Sequence, residues 1–75
     1  MDIADILIYV HSDLPAAQRE AIEEAVRACT GVVSAHFGPA QPHGLTVAYD
    51  PEAVTSGRLL GVVRRWDRAS TMAGL

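Results

Sequence analysis

The sequence predicts an α+β fold, a ferredoxin-like βαββαβ sandwich with a four-stranded antiparallel sheet and two helices on one face. Three observations carry that expectation. Hydrophobic periodicity switches along the chain in the order strand, helix, strand, strand, helix, strand. The 75 residues leave no spare linker, so each strand–helix–strand unit closes as a right-handed crossover and both helices fall on the same side. A 49% hydrophobic fraction is ample for a core and argues against disorder. Residues 1–75 therefore read as one domain. A chain this short buries only about 60% of its unfolded surface, so the core must be efficient or be completed by a partner.

Residues 3–11 are apolar on both parities, with Ile6, Ile8 and Val10 on one face. Leu7 and Tyr9 share the other face with Asp5 and His11, which suits a central strand whose second side is the more open. Residues 14–30 predict a helix, because Ile22, Ala25, Val26 and Cys29 form one apolar stripe at helical spacing. Cys29 on that stripe reads as a core thiol. Asp13 or Ser12 is expected to cap the helix, Pro15 fits its first turn and Gly31 stops it. Residues 32–38 are a second strand, with Val33, Ala35 and Phe37 on one face and Ser34 and His36 on the other. A Gly- and Pro-rich turn over 38–44 leads to a third strand with Leu45, Val47 and Tyr49 inward. Thr55 or Ser56 caps a second helix over 55–67, whose stripe is Leu59, Leu60, Val63 and Trp66. Gly57 and Gly61 each cost about 1 kcal/mol relative to Ala in that helix, and close approach to the sheet is one compensation open to them. Residues 70–75 complete the pattern as a short last strand.

Composition narrows the function classes. The net charge of −3 disfavours non-specific nucleic-acid binding. It is unevenly spread: residues 1–24 hold six acids and one arginine, whereas Arg58, Arg64, Arg65 and Arg68 face only Asp67 over residues 58–68. No apolar run approaches the ~20 residues of a membrane span, and no basic segment precedes an apolar one at the start, so a soluble cytoplasmic protein is expected. One cysteine excludes an internal disulfide or a thiolate pair within one chain. An RNA-reading sheet needs aromatics on its middle strands, where this chain offers Thr46 and Ala48. No nucleophile–base pair, oxyanion device or cofactor motif is visible, so an enzyme is not expected.

The stretches Thr30-Gly31-Val32-Val33-Ser34-Ala35 and Leu45-Thr46-Val47-Ala48-Tyr49-Asp50-Pro51-Glu52-Ala53-Val54 resemble the heavy-metal-associated domain family. These are the small copper and mercury chaperone modules, and the leucine-rich second helix follows at the family's distance. The resemblance covers nearly the whole chain and implies the fold reached above. The departure is in the functional motif. The family's Cys-x-x-Cys pair falls near Pro15 and Gln18, and Cys29 lies too far along to replace it. Two-thiolate capture of Cu(I) or Hg(II) by one chain is therefore excluded.

The topology offers other donors. The loops after strand one, between strands two and three and after helix two meet at one end. There they gather His11, Ser12, Asp13, His43, Asp67 and Arg68, with His36 nearby. His11, Asp13, His43 and His36 are the candidate metal ligands, and imidazole with carboxylate suits Zn²⁺, Ni²⁺, Co²⁺ or Cu²⁺. The alternative is a metal-free interaction or adaptor module. It would use the open sheet face, with Leu7, Tyr9 and His36, or the arginines of helix two, Arg64, Arg65 and Arg68. A homodimer through the open face would cover Leu7 and Tyr9 and could bring His11 and His36 of two chains together.

Overall fold

A computed structural model describes residues 2–11 and 13–74. Six elements follow in order: β1 (Ala4–Tyr9), α1 (Ala16–Arg27), β2 (Val32–Phe37), β3 (Gly44–Tyr49), α2 (Ser56–Val63) and β4 (Thr71–Gly74). The sheet order is β2-β3-β1-β4 and every neighbouring pair is antiparallel. This is the expected ferredoxin-like sandwich.

The core forms where the strand and helix periodicities meet. Ile6, Ile8 and Val10 of the first strand segment, with Leu45, Val47 and Tyr49 of β3, are buried with Ile22, Val26, Leu59 and Val63 from the helices. Cys29 is half-buried at the margin of this cluster and its thiol approaches the Ala25 carbonyl oxygen at 3.5 Å.

Four local readings change. Asp13 does not cap α1: the N-cap position is Pro15, extended at φ −61° and ψ 153°, and no side chain caps it. The Asp13 main-chain N–H donates instead to His11 Nδ1. Ser12, the other expected cap, lies outside the described residues. Val33 does not face the core. A β-bulge between Val32 and Ser34 gives β2 one extra residue there, so Val32 packs on the core and Val33 is 63% exposed. Helix α2 ends at Val63, and Trp66 reaches the core from the turn that follows. Gly57 and Gly61 do not serve close packing, because a Cβ at either would meet nothing within 4 Å.

The free edge of β2 is closed by α1. Glu23 Oε2 accepts from the Phe37 N–H at 2.8 Å, and Arg27 Nε donates to the Ala35 carbonyl at 2.9 Å. Side chains thereby occupy main-chain groups that an added strand would need.

Candidate functional site

The end of the sandwich beyond β1 is assembled from three loops. The Val10 N–H donates to the His43 carbonyl at 2.8 Å, which carries the β1–β3 pairing one step past the strands. The His11 N–H then donates to Asp67 Oδ2 at 2.6 Å, from a residue 56 positions away in sequence. The Leu14 N–H turns back to the His11 carbonyl at 3.2 Å and leads the chain into α1. Asp67 is fixed in turn: its Oδ1 accepts from the Ala69 N–H at 3.0 Å, and its carbonyl from the Ser70 N–H at 3.1 Å. Arg64 Nε donates to the Ser70 carbonyl, so one arginine of the basic segment is part of the loop's frame.

His11 and Asp13 converge. His11 Nδ1 accepts from the Asp13 N–H at 3.2 Å and lies 3.7 Å from Asp13 Oδ2. Their side chains are 62% and 86% exposed, so the pair is open to solvent. Two donors on one metal of tetrahedral geometry would stand about 3.4 Å apart, with metal–ligand bonds near 2.1 Å. The pair therefore needs to close by only a few tenths of an ångström, on giving up one exposed hydrogen bond.

The full four-residue metal set is not brought together. Among the described residues no three His, Cys, Asp or Glu side chains form a group able to hold an ion. His36 sits in a row that runs His36, Thr46, Leu7, Ala73 across the sheet. Two strand spacings and four residues along β1 separate it from His11, about 10 Å one way and about 13 Å the other. One ion cannot span that gap. His43 is nearer, but its ring is turned along the open face towards Tyr9, with ring centroids 6.5 Å apart.

The interaction residues also differ from expectation. Leu7 is only 8% exposed without any second chain. A Cβ at Gly44 would stand 3.2 Å from Leu7 Cδ1 and 3.3 Å from Gln41 Oε1, so that glycine lets Leu7 settle against the main chain. Tyr9 is half-buried, and Arg64, Arg65 and Arg68 are exposed. The residue whose role the sequence reading missed is Asp67. An Asp whose carboxylate takes the N–H two residues on is an Asx turn, and Asp67-Arg68-Ala69 carries that signal. Its second bond, to His11, has no local signal.

No family model matches the chain, and no curated protein sequence matches it. Solved structures do. The N-terminal domain of a potential copper-translocating P-type ATPase from Bacillus subtilis, in its Cu(I)-loaded state, superposes with a TM-score of 0.78 at 19% identity, covering 97% of this chain and 88% of that one. Oxidized MerP from Ralstonia metallidurans CH34 gives 0.74 at 12% identity, covering 97% of each chain. The yeast copper transporter domain Ccc2a gives 0.71 at 22% identity, covering 96% and 94%. The chain thus shares the fold of these domains over nearly its whole length. No helix among the described residues is long and apolar enough to cross a membrane.

Proposed function

We propose that the chain is a small ion-handling domain that takes a borderline divalent ion, Zn²⁺, Ni²⁺, Co²⁺ or Cu²⁺, at His11 and Asp13. The observation that carries this reading is the 3.7 Å approach of His11 Nδ1 and Asp13 Oδ2 on an exposed loop. The fold supports it, since structures of the same fold include a Cu(I)-loaded domain and a copper transporter domain. The donors differ in kind. The single cysteine is Cys29, half-buried at the other end of α1, so nitrogen and oxygen replace a thiolate pair and select harder, divalent ions. Two protein donors leave coordination positions free for water or for donors of a second protein. His43, on the same end, is the nearest further imidazole. Such an incomplete shell suits an ion that is picked up and handed on in a cytoplasmic setting.

Titration calorimetry with each of the four ions tests the reading. We expect at least one to bind, and His11→Ala or Asp13→Ala to weaken it about tenfold or more. Binding no tighter than ~100 µM for every ion, some 5.5 kcal/mol, would be too weak for handling. Affinity unchanged in both variants would equally sink the site.

A second reading is a metal-free module that docks a protein partner, and the exposed Arg65 and Arg68 beside this end favour it. The open-face homodimer has less behind it, because Leu7 is already covered within one chain and association gains little apolar area from it.

A further inference from the structure

We propose that Asp67 is a positioning residue for the His11–Asp13 pair, acting through the His11 main chain. The inference rests on the ion-handling reading, and adds to it a residue from the far end of the sequence. Beside the Asp13 N–H bond to His11 Nδ1, three hydrogen bonds hold the described residues of this loop: Val10 N–H to the His43 carbonyl, His11 N–H to Asp67, and Leu14 N–H to the His11 carbonyl. The first and third join main chain to main chain. The second depends on a side chain, the Asp67 carboxylate, at 2.6 Å.

The Asp67 bond holds the main chain from which the His11 side chain projects, and the Asp13 N–H then orients the ring by donating to Nδ1. Both Asp67 oxygens are engaged by main-chain N–H groups, Oδ2 by His11 and Oδ1 by Ala69. The carboxylate thereby bridges the loop before α1 and the turn after α2. Its own position is set by the Ala69 and Ser70 N–H groups, so the turn after α2 serves as the anchor for the loop before α1. Outer-shell residues of this kind fix ligand geometry at metal sites.

The test compares Asp67→Asn and Asp67→Ala with wild type by Zn²⁺ titration calorimetry, with ¹H–¹⁵N spectra following the His11 and Ala69 amides. Asparagine keeps one acceptor oxygen and turns an N–H donor towards the other amide; alanine removes both acceptors. We expect Zn²⁺ affinity to fall about tenfold in Asp67→Asn and further in Asp67→Ala, the range that outer-shell changes produce. Thr55→Ala, which lowers stability at the opposite end of α2, is the control and should leave affinity alone. Affinity within about twofold of wild type in Asp67→Asn, with His11 still required, overturns the proposal. Should Asp67→Ala fail to fold, Asp67→Asn decides alone. If wild type takes no Zn²⁺ at His11, the same comparison is made with Ni²⁺, Co²⁺ and Cu²⁺; if none of the four binds there, the ion reading falls, and the amides then judge the clasp. Loss of exchange protection at His11 in Asp67→Asn sustains it as a loop anchor; an unchanged His11 amide removes it altogether.

Discussion

Helix α1 leaves the sheet-ward chain through a turn dictated by sterics and is entered through a loop held by exchangeable polar contacts. At its far end Gly31 takes φ +91°, and a Cβ there would stand 2.7 Å from Ala53 Cβ. The Gly31 carbonyl accepts from the Asp50 N–H at 2.8 Å, and Val54 just beyond is buried. At Gly31 the contacts are steric and main chain to main chain. At the near end Pro15 has no side-chain cap, and the aspartate that could supply one stands beside His11. Under the ion-handling proposal, the contrast separates a structural end from a binding end. A tightly packed turn resists rearrangement, whereas a binding loop needs donors that can trade a hydrogen bond for a ligand.

The largest expected effect lies at the fixed end. Gly31→Ala forces a side chain into a positive-φ position and against Ala53, which costs about 2–3 kcal/mol of stability. For a domain of this size that lowers the melting temperature by about 10 °C or more. Ion affinity at His11 should not change in the protein that remains folded. A loss of affinity in step with stability would mean that the two ends are not separable.

Next comes the start of α2, which is finished in the way α1 is not. Thr55 Oγ1 accepts from the Arg58 N–H at 3.2 Å, and the main chain of Thr55 is extended as a cap requires. Thr55→Ala should cost about 1 kcal/mol, read from the urea midpoint at unchanged slope. An effect near zero would show that capping matters no more at α2 than at α1, and the contrast between the helices would lose its meaning.

The same contrast marks where the sequence was legible. Ile8, Leu45 and Val47, at alternating positions, and Ile22 and Val26, one helical turn apart, declare their burial by spacing alone, and Gly31 declares a turn by its chemistry. Val33 misleads because a period-2 reading assumes that no residue is inserted, and the bulge is set by pairing with Ala48 and Tyr49. Gly57 and Gly61 look like packing glycines until the helix is seen to turn them outward. At the loop end, sequence placed His11, Asp13, His43 and Asp67 together because topology does so. It could not say that the His43 ring turns to Tyr9, or that Asp67 spends its carboxylate on the His11 amide. Those choices depend on contacts between segments dozens of residues apart, where local chemistry permits several partners. Asp13 is the clearest case, since a cap and a ligand need the same carboxylate at nearly the same place.

The smallest expected effect tests whether the start of α1 is unfinished or merely finished without a side chain. Pro15 lends its carbonyl to the Gln18 and Arg19 N–H groups at 3.0 and 3.1 Å, so two N–H groups near the helix start are already satisfied. Its φ of −61° is one that the ring imposes, which restrains the unfolded chain as well as the folded one. In Pro15→Ser the hydroxyl can accept from an N–H of the first turn and adds about 1 kcal/mol, while loss of the ring gives back about 0.4–1 kcal/mol. The two nearly cancel, so the urea midpoint should move by no more than a few tenths of a kcal/mol. His11 and Asp13 lie upstream of the change, with the His11 N–H on Asp67 and the Asp13 N–H on His11 Nδ1, so ion affinity should stay within about twofold. A gain well above 1 kcal/mol would show that the loop had left real stability unclaimed at this helix start. A fall in affinity would place Pro15 itself among the residues that aim the His11–Asp13 pair.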